Sequence, residues 1–220
     1  MTELSIDTAS ELASVSLSRQ GLVIDEIAWK CRSNHTVELL PAVDRLLERA
    51  RVGRGDLTAV FVTTGPGMYT GLRVGIATAK GLARALGLPL VGVGRLELDA
   101  RPHAAFSGTI VAVHRAGRGD IAWASYASDP WREISAPRLS KPDDLVGELQ
   151  TPGLVVGEVD EALAAMISER PGVGYAPEGE RGRAASLAAL GYVRWAGGAQ
   201  SEPALVMAVY LRPPAIGPQG

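Results

Sequence analysis

A helix stripped of side-chain bulk, set directly behind a glycine-proline-glycine loop, constrains this chain more than any other stretch. The run Leu57-Thr58-Ala59-Val60-Phe61-Val62 is apolar and β-branched along its length, as a buried parallel strand requires. It leads to Gly65-Pro66-Gly67, where the backbone must turn sharply, and a helix of about five turns should follow. Thr70 is placed to cap that helix, and Gly87 with Pro89 beyond it to end it. Leu72, Ile76, Ala79, Ala83 and Leu86 recur at steps of three and four, forming one stripe to pack on a sheet. The other faces carry Gly71, Gly75, Ala77, Thr78 and Gly81. Each interior glycine costs about 0.5–1 kcal/mol relative to alanine, so something must compensate. Two explanations compete: a phosphate cradle at the loop, or a second helix packing unusually close along the bare face.

Upstream, residues 4–8, 12–17 and 22–29 read as three strands joined by links short enough to require antiparallel neighbours. A helix from Thr36 to Arg51 follows, with Leu39, Val43, Leu46 and Ala50 on one face and Leu40 and Leu47 beside it. With the strand Leu90 to Val93, the order through residue 94 is β-β-β-α-β-α-β. A meander followed by crossovers marks one half of the actin/hexokinase/Hsp70 class of ribonuclease-H-like folds. The second half reads as a shorter, degenerate repeat: strands at 109–113, 121–127, 131–134 and 154–156, and helices at 141–149, 159–169 and 182–197. The expected architecture is α/β and two-lobed, with an N-terminal lobe at 1–103, a smaller lobe at 104–212 and a loose Pro/Gly-rich tail at 213–220.

Chemistry is sparse. At a net charge of −2 the chain has no global basic field to hold nucleic acid or an acidic membrane. No apolar run reaches the roughly 18 residues of a membrane span, and the N-terminus moves straight into a strand. Cys31 is the single cysteine, so no internal disulfide forms, and a buried thiol in a reducing cytoplasm is expected. His35, His103 and His114 have no metal-binding spacing. Asp7 and Thr8 stand where an acid could hold a metal-bound phosphate, but Asp7-Thr8-Ala9-Ser10-Glu11 has no glycine to bring backbone amides to a phosphate. Any nucleotide site there would be vestigial. Ser5, Ser14 and Ser16 alternate along strands as solvated hydroxyls would. Arg73 and Lys80, two turns apart, could meet acidic or phosphate groups on a partner; Arg115 and Arg118 could touch RNA phosphates.

Gly65-Pro66-Gly67-Met68-Tyr69-Thr70-Gly71-Leu72-Arg73-Val74-Gly75, with Ala79-Lys80-Gly81-Leu82-Ala83 after it, resembles the signature of the TsaB (YeaZ) family. Ile6-Asp7-Thr8-Ala9, His35 with Leu39-Leu40-Pro41, Pro89 with Gly92-Val93, and Tyr210-Leu211-Arg212 fall in the expected places. The second-lobe turn at Arg115 to Asp120 keeps only part of the family pattern, and Met68-Tyr69 stand where Ser-Phe is usual. The resemblance implies a catalytically silent cytoplasmic subunit of bacterial tRNA modification. It would partner TsaD, which transfers threonylcarbamoyl to the adenosine beside the anticodon, together with the ATPase TsaE. ATP would be bound by partner subunits, with no cofactor of the chain's own, and tRNA would be met through the complex. The N-terminal lobe would also form a homodimer. Carried onto the two helices, the interface implied is Leu39, Val43 and Leu46 with Gly67, Tyr69, Thr70, Gly71, Arg73, Val74, Gly75, Thr78, Lys80 and Gly81. The alternative within the same fold class is an ATP-dependent small-molecule kinase working through Asp7. A metalloprotease is a third possibility.

Overall fold

A computed structural model describes residues 1–31, 34–177, 179, 182–199 and 202–212. The expected tail at 213–220 lies outside them. β1 (Thr2–Asp7), β2 (Leu12–Arg19) and β3 (Leu22–Lys30) form the antiparallel meander. α1 (His35–Ala50) leads to β4 (Leu57–Gly65), parallel to β1, then α2 (Tyr69–Leu86) to β5 (Leu90–Gly94), parallel to β4. The sheet order is β3-β2-β1-β4-β5.

After α3 (Arg95–Ala100) the pattern starts again with β6 (Thr109–Arg115), β7 (Ile121–Ser128) and β8 (Trp131–Ser140). Then come α4 (Pro142–Glu148), β9 (Gly153–Gly157), α5 (Glu161–Ser168) and β10 (Val173–Pro177). Its order, β10-β9-β6-β7-β8, is the first sheet's order read from the other side. The second sheet is complete. The reduction lies in its crossover helices, 7 and 8 residues long against 16 and 18 in the first. α3 and β10 carry no periodic signal strong enough to single them out in the sequence.

α6 (Ala184–Ala196) corrects the expected division of the chain. It returns to the first sheet, so the first compact unit is residues 1–98 with the described part of 180–209. The second is 99–179 with 210–212. The reason is a bare apolar surface. Ala59, Phe61, Val91 and Val93 on one face of the first sheet need a cover, and Leu187 and Leu190 of α6 supply it. Leu4, Ile6, Val15, Leu17, Val60 and Val62 face the other way and pack under α1 and α2. Of the stripe expected on α2, Leu72, Ile76, Ala79 and Ala83 are buried; full burial of a side chain such as Leu72 contributes about 1.5–3 kcal/mol. Gly87 ends α2 in the left-handed conformation. Thr70 does not cap it: Met68 occupies that position, and Thr70 is the second helical residue.

Towards its β3 side the surface under α6 is polar, and its serines are not solvated. Ser5, Ser14 and Ser16 are all fully buried. The Ser14 hydroxyl accepts the Ala184 N–H at 3.0 Å, capping α6 from a strand 170 residues away, and Ser16 donates to the Ala184 carbonyl. Glu3 is satisfied there by Ser18 and by the Gln20 and Gly21 amides. Cys31, just past β3, is buried as expected. No helix among the described residues is long and apolar enough to cross a membrane.

Candidate functional site

Two features expected to carry function meet at the end of β1. Asp7 and Thr8, expected as a vestigial nucleotide site, are turned into the unit's own interior, with exposures of 0% and 2%. Asp7 Oδ1 accepts the Ala9 N–H, and Oδ2 lies 3.4 Å from Nη1 of Arg183. Arg183 is itself buried and also donates to Ser10 Oγ at 3.0 Å. A buried carboxylate needs a charged or hydrogen-bonding partner, and here the chain brings its own. Nothing in the sequence near Asp7 signals that partner, 176 residues away. His35, also buried, points Nε2 at the Ser10 carbonyl.

The glycines answer the question their cost raised. A Cβ on Gly67 would lie 2.3 Å from the Ala9 carbonyl oxygen, on Gly71 2.1 Å from that of Thr8, and on Gly75 2.1 Å from Thr8 Oγ1. No side chain fits. The close approach they permit is of α2 to the tip of β1, clinched by Thr8 Oγ1 donating to the Gly71 carbonyl at 2.7 Å and the Met68 N–H donating to that of Ala9. Gly67, Gly71 and Gly75, expected at a subunit interface, are therefore used within the unit. Gly81 is different: a Cβ there meets nothing, and the residue is exposed. Leu39, Val43 and Leu46 are also corrected; they sit in the core, where they hold α1 to the sheet.

What remains outside is a continuous kind of surface along both helices. α1 exposes Val37, Leu40 and Pro41; α2 exposes Tyr69, Thr70, Arg73, Ala77 and Gly81, with Val74, Thr78 and Lys80 half-buried. The Arg73 guanidinium lies 4.4 Å from the Tyr69 ring centre, a cation–π contact of about 0.5–1 kcal/mol at an exposed site. α2 carries Arg73, Lys80 and Arg84 and not one acidic residue. Exposed large apolar side chains beside cations suit a protein partner better than a reaction. Among the described residues no three of His, Cys, Asp and Glu come together as metal ligands would.

In the second unit, Arg115 and Arg118 flank a turn governed by residues the sequence reading missed. Asp120 takes a hydrogen bond from Lys141 at 2.5 Å and another from Arg212, which also reaches the Ala116 and Gly117 carbonyls. The Lys141 hydrogen bond, with the nearby Lys141 and Arg212 charges, holds the Asp120 carboxyl below its ordinary range. Arg115 lies 3.9 Å from Asp160, and His114 Nδ1 is 2.9 Å from Glu158. Acids are interleaved with these bases, a poor footprint for RNA phosphates.

The family model for TsaD, tRNA N6-adenosine threonylcarbamoyltransferase, matches residues 15–169. The tRNA threonylcarbamoyladenosine biosynthesis protein TsaB of Bacillus subtilis (strain 168) is 38% identical over 121 residues, 55% of this chain. The chain spans 53% of that relative's length. YeaZ from Pseudomonas aeruginosa superposes with a TM-score of 0.80 at 25% identity, over 96% of this chain and 99% of that one. The activator of the 2-hydroxyisocaproyl-CoA dehydratase from Clostridium difficile, solved with bound ADPNP, shares the fold alone. Its TM-score is 0.52 at 9% identity, over 90% of this chain and 97% of that one. The two-lobed actin/hexokinase/Hsp70-like class read from the order of elements is the observed one.

Proposed function

The chain belongs to the TsaB (YeaZ) family, and from that premise we propose that it serves tRNA threonylcarbamoyladenosine synthesis as a noncatalytic subunit. It binds a TsaD-type catalytic subunit through the outer faces of α1 and α2, and a second copy of itself through the same faces when that subunit is absent. A TsaE-type ATPase and ATP join through the partner, and tRNA is met through the complex. The observation that carries this reading is the α1–α2 surface, where Val37, Leu40 and Tyr69 stand exposed beside cations that no acid on α2 balances. Burial of Asp7 against Arg183 supports the noncatalytic part. The same burial weighs against an ATP-dependent small-molecule kinase, which would need that acid open to a nucleotide.

Light scattering and calorimetry with a TsaD-type subunit test the proposal. Ala77→Glu puts a charge on the exposed face without touching the core, so it should keep the wild-type fold and weaken the complex at least about tenfold. Gly75→Glu is the wrong probe, because its side chain would strike Thr8 within this chain. No complex with wild type, or an Ala77→Glu complex of unchanged affinity, would sink the proposal.

A further inference from the structure

Beside the C-terminal half of α2 the first unit has a groove of about 480 Å³ that shares Lys80 and Arg84 with the surface described above and extends it. Its lining is aliphatic at Ala83, Leu88, Pro203 and Ala204, cationic at Lys80 and Arg84, and acidic at Glu202. The far side is a pinned segment, a 3-10 turn at Pro203–Leu205 whose chain runs on to Val209. Lys80 Nζ donates to the Ala204 carbonyl at 3.1 Å, Val206 is buried in the core, and the Val209 N–H donates to the Thr64 carbonyl at 2.7 Å. Anchored this way, the segment turns Leu205 and Met207 outward, 72% and 71% exposed. Arg73, Ala77, Lys80 and Arg84 follow at steps of four, three and four, so the groove continues the face of α2 already described.

We propose that this groove docks an acidic segment of the TsaD-type partner, its carboxylates on Lys80 and Arg84 and its apolar side chains on the aliphatic lining and against Leu205 and Met207. The inference rests on the reading that the chain binds such a subunit, and it adds where and by what chemistry the contact extends. Charge complementarity selects the occupant. Among the described residues none of Arg73, Lys80 and Arg84 forms an ion pair, while the whole chain carries a net −2, so the cationic strip is local. An RNA strand fits less well, since the lining offers no aromatic ring for a base to stack on. Methionine and leucine side chains adapt to an apolar partner surface.

Calorimetry of the full chain with the TsaD-type subunit decides it, using Lys80→Glu/Arg84→Glu and, separately, Leu205→Ser/Met207→Ser. Arg84, Leu205 and Met207 are exposed and Lys80 gives up one exposed hydrogen bond to Ala204, so thermal melting should fall only slightly. Each pair should weaken binding about tenfold or more, the charge pair should also flatten the salt dependence, and Lys80→Arg/Arg84→Lys should bind as wild type. If wild type binds and both variant pairs bind equally well, the groove is overturned while the α1–α2 interface stands. If wild type fails to bind, both fall. If the charge reversal instead weakens only the binding of an anticodon stem-loop RNA to this chain, the groove serves nucleic acid and the proposal is overturned.

Discussion

In each unit the turn after the first strand is held by an arginine from much later in the chain that meets a carboxylate: Arg183 on Asp7 in the first, Arg212 on Asp120 in the second. The two turns hold topologically matching positions in sheets of the same strand order. The first contains no glycine, is covered by α2 and α6, and buries both charges. The second turns through Gly117, Arg118 and Gly119, all at positive φ, and leaves its acid at 20% exposure with two cations around it. The same pairing therefore has different consequences. Inside, the pairing helps to offset lost hydration; at the surface, water screens the pair and its loss matters little.

The largest expected effect follows from the buried turn. Asp7→Ala removes a buried carboxylate that faces the buried Arg183 and should cost about 3–5 kcal/mol in urea unfolding, whereas Asp7→Leu with Arg183→Met should recover much of that loss. A cost under about 1 kcal/mol, the range of an exposed pair, would erase the distinction between the turns.

The glycines of α2 sharpen it at intermediate size and with opposite signs. Gly71→Ala forces a methyl onto the Thr8 carbonyl oxygen and should destabilise by about 1–3 kcal/mol. Gly75→Ala should cost less, because the Thr8 hydroxyl can rotate away at the loss of its bond to Gly71. Gly81→Ala, open on all sides, should stabilise the free chain by about 0.5–1 kcal/mol, as midpoints of denaturation would reveal.

The smallest effect belongs to Asp120. Its folded carboxyl titrates below the ordinary 3.8, so its contribution is present above that value and fades as pH falls through the lowered one. Asp120→Asn should remove that small contribution near neutral pH, leave stability below the lowered value unmoved, and so slightly flatten the acid limb of a stability-against-pH curve. A large loss at neutral pH would show that the exposed turn is structurally essential after all.

Much of the fold was legible, and little of the site. The alternation in Glu3-Leu4-Ser5-Ile6-Asp7 and in Ala13 to Ser18 marks two-faced strands, but a polar face reads the same whether water or a helix lies over it. Here α6 lies over it, arriving from residue 184 to be capped by Ser14. The small residues of α2 likewise announce a close approach without saying to what. Leu39, Val43 and Leu46 share one apolar face of α1, as their spacing requires, yet that face belongs to the core, and the exposed Val37 and Leu40 lie outside it.

By itself the sequence determined what depends on neighbours a few residues apart: the order of strands and helices apart from α3 and β10, the stripe from Leu72 to Ala83, and the stop at Gly87. Periodicity and backbone preference are local, and they write themselves into every turn of the chain. Tertiary structure alone decided that Thr8 is what Gly71 and Gly75 make room for, that Arg183 is what Asp7 faces, and that α6 belongs to the first unit. Those partners lie 63 to 176 residues apart. No local period carries such a pairing; only the burial of two surfaces against each other selects it.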